Sequence, residues 1–146
     1  MVHFVIHVGP HKTGTTYIQR RLDAGSAALR RQLVAVPTEW SDSEPNPSHT
    51  GLLSRLVPDR INEIEHKFRT WRTGGYRFAA ISSEGLSNAP LDVLRTLRAQ
   101  IGDDPFTIVY YVRAWPERVA SVWTEGIVHR NLNNFTDFIV QNLRDP

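Results

Sequence analysis

Gly9, Lys12, Gly14, Thr15 and Thr16 follow the apolar run Val5–Val8 without a break. Small and hydroxyl residues between such a run and a helical pattern predict a strand, a tight loop and a helix N-terminus. The first amides of a helix have no intrahelical partner and sit at the positive end of its dipole, so a turn of this kind stabilises an anion. Gly14 allows close approach of a phosphate, Thr15 and Thr16 add hydroxyl donors, and Lys12 adds a mobile positive charge. Two further places carry chemistry. Ser83 and Glu84 follow a second apolar run, and Arg113 follows a third with Ser121 eight residues beyond it. A guanidinium can grip a phosphate bidentately while a hydroxyl donates beside it, and a carboxylate can take a proton.

The Gly9 to Thr16 spacing resembles a Walker A loop, Gly-x-x-x-x-Gly-Lys-[Ser/Thr], with Thr15 in place of the lysine and Lys12 upstream. Because ATP chemistry sets that lysine on the β- and γ-phosphates, the displaced lysine points to another donor. Lys12-Thr13-Gly14-Thr15-Thr16 resembles the 5′-phosphosulfate loop of the sulfotransferases that use 3′-phosphoadenosine 5′-phosphosulfate (PAPS), and the flanking His7–His11 and Tyr17–Gln19 are similar to their bacterial branch. Arg113 and Ser121 keep the spacing of the arginine and serine that hold the donor's 3′-phosphate in that family.

The resemblance implies that Lys12, Thr13, Gly14, Thr15, Thr16, Arg113 and Ser121 bind PAPS, that Lys12 neutralises charge on the leaving 5′-phosphate, and that no metal is needed. Sulfuryl transfer to a hydroxyl or amine of a small-molecule or carbohydrate acceptor still requires a base. Family members use histidine or glutamate there, which makes Glu84 and His49 the candidates, ahead of His7, His11, Glu39 and Glu44. His7 is expected to be structural, its ring held by a backbone partner. Two other readings stay open: an ATP-dependent kinase with an altered P-loop, and a catalytically silent nucleotide-binding or interaction domain.

The composition suits one globular domain over residues 1–146: 40% hydrophobic, 22% charged and a net charge of +2. Arginines come in scattered pairs, and Arg20 and Arg31 fall opposite an expected helical stripe of Ile18, Leu22, Leu29 and Leu33, so the charge reads as solvated rather than as a nucleic-acid surface. The absence of cysteine fits a reducing compartment, and no basic segment leads into a long apolar one. A cytoplasmic protein without a membrane span is expected.

The elements that must position these residues alternate. After the first helix, interrupted near Gly25, comes a long loop from Thr38 to His49 that is expected to carry acceptor specificity from Trp40 onward. Leu52, Leu53, Leu56 and Val57 suggest a short helix, and Ile61, Ile64, Phe68 and Trp71 a longer one ended by Gly74-Gly75. Residues 76–82 read as the second strand. A helix over 91–101 follows, with Leu94, Leu97 and Ile101 on one face and Leu91 at its edge, then a third strand over 106–112. Pro116 opens a helix to about Arg130 with Val119, Trp123 and Ile127 inward and Ser121 opposite, and Asn133-Asn134-Phe135 opens a last short one.

Strands alternating with helices predict an α/β fold: a parallel sheet flanked by helices in three layers, of the P-loop type by resemblance. Ligands then sit outside the carboxyl ends of the strands, where all three candidate groups converge. Family members continue well past the arginine-serine helix, so the resemblance covers only their amino-terminal portion. A truncated fold is expected, with an open sheet edge that favours self-association or a partner chain.

Overall fold

Phe4 and Ile6 alternate with His3, Val5 and His7, and this alternation sets the two faces of the sheet. The computed structural model describes residues 1–9, 14–40, 49–112, 114–130, 134–136 and 138. By its internal contacts the chain divides into two units, Met1–Tyr111 and Val112–Pro146.

The first unit is α/β, with a four-stranded, all-parallel sheet. Its strands are β1 (His3–His7), β2 (Val34–Ala35), β3 (Phe78–Ser82) and β4 (Phe106–Val109), in the order β2-β3-β1-β4. The helices are α1 (Thr15–Ala24), α2 (Ser26–Arg31), α3 (Ile61–Thr73) and α4 (Leu91–Ile101). β1 is central, with Ile6 opposite both Ile81 and Ile108.

Phe4, Ile6, Ala79 and Ile81 point to the apolar face, where Ile64, Phe68 and Trp71 of α3 and Leu97 and Ile101 of α4 cover them. The Phe4 and Phe68 rings lie 4.6 Å apart, and Phe68 stacks on Trp71 at 5.4 Å. Full burial of each such side chain contributes about 1.5–3 kcal/mol. At the amino ends of the strands, Asp104 accepts from the Val2 amide and from Arg72 of α3, while Arg72 also donates to the Gln100 and Ile101 carbonyls at the end of α4. A cation there satisfies orphan carbonyls and complements the helix dipole.

Several expectations need correcting. Among the described residues four strands form rather than three, because β2 is two residues long and too short to show a period in sequence. The third expected strand leaves the ladder after Val109, since β1 ends at His7 and the last bond is Val8 N–H to Val109 O. The inward stripe of the first helix is replaced: Thr15 and Gln19 are buried, Ile18, Leu22 and Leu29 are half-buried, and Leu33 is exposed at a left-handed φ of 61°. Leu33 turns the chain from α2 into β2, and its carbonyl accepts from the Arg77 and Phe78 amides.

Leu91 and Leu94 are exposed while Leu97 and Ile101 are buried, because only the C-terminal half of α4 reaches the sheet core. The short helix near Leu52 is a 3₁₀ turn over His49–Arg55, with Leu52 and Leu56 inward and Val57 exposed. The break at Gly25 and the bounds of α4 are as expected.

In the second unit, α5 (Trp115–Arg130) buries Val119, while Trp123 meets the Phe135 ring edge-on at 4.9 Å. Ile127 is exposed rather than inward. Asn134 accepts from the Thr136 amide through its side chain, a helix-opening contact, and residues 135, 136 and 138 are helical; Asn133 lies outside the described residues.

Candidate functional site

Because β1, β3 and β4 run parallel in register, their carboxyl ends share one edge: His7 stands opposite Ser82 on one side and Val109 on the other. The chain crosses one way from β1 to β2 and back over β1 from β3 to β4, so β1 marks the reversal of strand order where open α/β sheets bind ligands.

α1 begins at this edge. Gly14 caps it in the left-handed conformation at φ 88°, with no side chain among the described residues capping the helix and open space where a Cβ would lie. A side chain at that φ costs roughly 1–2 kcal/mol, so the turn selects glycine by backbone conformation. Tyr17 and Ile18 donate the first helical bonds, both to the Gly14 carbonyl, which leaves the Thr15 and Thr16 amides ahead of the ladder. The Thr15 side chain is buried and Thr16 is exposed.

At its carboxyl end, past Val5 and Ala80, the sheet face toward α1 turns polar. The His7 Nδ1 lies 2.8 Å from the Ser82 Oγ, and Gln19 of α1 reaches the Ser82 carbonyl. His7 is 5% exposed, and among the described residues its Nε2 has no hydrogen-bond partner; the Tyr111 ring lies 5.3 Å away, centroid to centroid. The ring is therefore held by a side-chain hydroxyl rather than by the backbone. Burial lowers the His7 pKa from its usual 6.5, keeping the ring neutral. Ser83, just past β3, is completely buried; its amide bonds the His7 carbonyl, while its Oγ has no partner among the described residues. A buried hydroxyl without a partner costs about 1–3 kcal/mol, so such a group calls for an account: an ordered water, an ion or a ligand that completes the network.

Glu84 opens a 3₁₀ turn over Glu84–Asn88 and is half-buried. This turn lies against the one that His49 opens. A Cβ on Gly85 would clash with Leu53 Cδ1, so a larger residue there would have to displace the Leu53 side chain. The structure thus brings the two candidate bases onto neighbouring turns, although nothing is described of the His49 side chain. Glu39 pairs with Lys67 of α3, and Trp40 is buried against Phe68 and Trp71. Trp40 belongs to the core, not to an acceptor loop.

Lys12, Thr13, His11 and Arg113 lie outside the described residues, as does Glu44. Ser121 is half-buried on α5, in the second unit. The residues to which sequence reasoning gave no role are Ser83 (named only beside Glu84), Ser82 and Gln19. The signal for the first two was available: a polar pair ending an apolar run that enters a parallel sheet. Gln19 had none, since an isolated helical glutamine reads as solvated.

Comparison with known proteins finds no matching family model, no matching curated protein and no matching solved structure.

Proposed function

We propose that this chain is a P-loop-type domain that binds PAPS and transfers its sulfuryl group to a hydroxyl or amine of a small-molecule or carbohydrate acceptor. One observation carries the anion-binding half of the reading: α1 opens on a left-handed Gly14 at the carboxyl edge of the central strand, the same edge that buries the Ser83 Oγ without a partner among the described residues. The choice of a sulfuryl donor over ATP rests on the sequence resemblance, Lys12 displaced from the Walker position and the Arg113–Ser121 spacing.

In this reading the Thr15 and Thr16 amides receive the 5′-phosphate, and Gly14 lets it approach. Arg113 and Ser121 hold the 3′-phosphate. Lys12 stabilises the bridging oxygen as the sulfur–oxygen bond to the donor breaks and the bond to the acceptor oxygen or nitrogen forms. The acceptor proton passes to Glu84, with His49 on the adjacent turn as the alternative base, and 3′-phosphoadenosine 5′-phosphate (PAP) leaves. No metal takes part. A chain without cysteine fits the reducing cytoplasm, where we place it; among the described residues no helix is long and apolar enough to cross a membrane.

Calorimetric titration with PAP and with ATP, each with and without Mg²⁺, tests the reading. PAP binding that needs no metal, and that weakens about tenfold or more in Lys12→Ala and Arg113→Ala, is expected for lost charge-assisted contacts. ATP binding that requires Mg²⁺, with PAP inert, would turn the assignment to a kinase. PAP binding without transfer to any hydroxyl or amine acceptor would leave a silent nucleotide-binding domain.

A further inference from the structure

The outer edge of β4 is built unlike the rest of the sheet. Phe4 N–H bonds the Pro105 carbonyl and Val8 N–H the Val109 carbonyl, with Phe4 opposite Phe106 and Ile6 opposite Ile108. In a parallel ladder this register turns the backbone groups of Thr107 and Val109 toward β1. The N–H and C=O of Phe106 and Ile108, and of Tyr110 just beyond, are left on the outer side. Among the described residues nothing pairs with them.

Natural edges are guarded by charge, proline, bulges or shortness. β2, at the opposite edge, is guarded by being only two residues long. The run Phe106-Thr107-Ile108-Val109-Tyr110-Tyr111-Val112 carries no charge, glycine or proline. Its outward residues are open to solvent: Phe106 is 41%, Ile108 50% and Tyr110 53% exposed. Phe106 and Ile108 also wall an apolar groove of about 310 Å³ that runs to Leu94 and Leu97 of α4.

We propose that β4 pairs with β4 of a second copy of this chain, antiparallel and centred on Ile108, to give a continuous sheet across a twofold axis. The outward residues are symmetric about Ile108. Ile108 meets its counterpart, Phe106 meets Tyr110 of the second copy, and each pair exchanges both backbone bonds. The same register brings a phenylalanine and a tyrosine together on the groove side, a favoured cross-strand combination. With Phe106, Ile108 and Tyr110 about half exposed and Leu94 beside them, the surface on offer is on the order of 400 Å² per copy, below the ~800 Å² of a standard interface, which suits a pair that comes apart on dilution. One long open edge and one short edge close as a dimer rather than extend as a filament.

Sedimentation equilibrium on the full chain reads the outcome. Twice 16.6 kDa is expected, falling toward one chain on dilution. Ile108→Lys sets like charges together at the axis and weakens association about tenfold or more. The double variants Phe106→Lys/Tyr110→Lys and Phe106→Glu/Tyr110→Glu stay monomeric alone and form a dimer when mixed. Hydrogen exchange on the unmodified protein needs no variant: amides of Phe106, Ile108 and Tyr110 gain protection with concentration, while those of Thr107 and Val109 are protected throughout. A monomer at every concentration, a dimer that survives Ile108→Lys, open-ended association, charge variants that ignore each other, or exchange at Ile108 independent of concentration would each overturn the proposal.

Discussion

His7 and Ser82 face each other across the β1–β3 register, with the imidazole Nδ1 2.8 Å from the serine Oγ and both side chains buried. Whichever nitrogen carries the proton, Nε2 has no partner among the described residues. Protonating this ring would strand a charge among buried groups.

Stability should therefore fall on the acid side of neutrality. The folded His7 pKa lies below its ordinary 6.5, so the unfolded chain binds the extra proton first. The His7 contribution is fully present above 6.5 and is lost as pH drops below it, by at most about 1.4 kcal/mol per pH unit for one proton. Thermal unfolding from pH 8 to 5 should show this decline, and His7→Asn should flatten it. Parallel profiles for the two proteins would argue against a buried neutral ring.

Ser83→Ala separates a ligand-facing hydroxyl from a structural one. Removing a buried unpartnered Oγ should leave the free protein as stable or up to about 1–3 kcal/mol more stable. The same change should weaken PAP binding. A destabilised variant with undiminished affinity would make Ser83 a structural residue.

Gly14→Ala tests the turn that opens α1. Its Cβ would meet nothing within 4 Å, so the cost is backbone strain at φ 88°, roughly 1–2 kcal/mol. The turn should relax toward negative φ, misaiming the Thr15 and Thr16 amides, and PAP affinity should fall further than stability does. Equal affinity in the two proteins, measured by calorimetry, would remove those amides from the binding role.

Asp104→Asn tests the clamp at the opposite end of the sheet. Burial alone would raise the Asp104 pKa, but the hydrogen bond from Arg72, the Val2 amide and the Arg72 charge together hold it below 3.8. Its contribution is present above 3.8 and is lost as pH falls through the lowered folded value. Loss of the charge at neutral pH should cost about 1–3 kcal/mol in chemical denaturation while leaving ligand binding unchanged. A neutral effect would show that Arg72 is equally well held by the α4 carbonyls.

What the sequence determined by itself is local. The helical repeat of Ile64, Phe68 and Trp71, the limits of α4, the break at Gly25 and the glycine turn before α1 each depend on residues a few positions apart, and period and turn chemistry report on that range. The alternation of these elements was enough for an α/β class with a parallel sheet.

The tertiary structure alone decided what depends on distant partners. Two-residue β2 exists because β3 offers it a ladder, β4 stops where β1 stops, and Trp40 leaves its loop for the core because Phe68 and Trp71 provide a surface to bury it. The polarity of the site followed the same rule. Nothing in the one-dimensional pattern separates Thr15 and Gln19, which the fold buries, from Leu33 and Ile108, which it leaves exposed. Burial belongs to the assembled layers, and a residue acquires it only when chain far away in sequence arrives beside it.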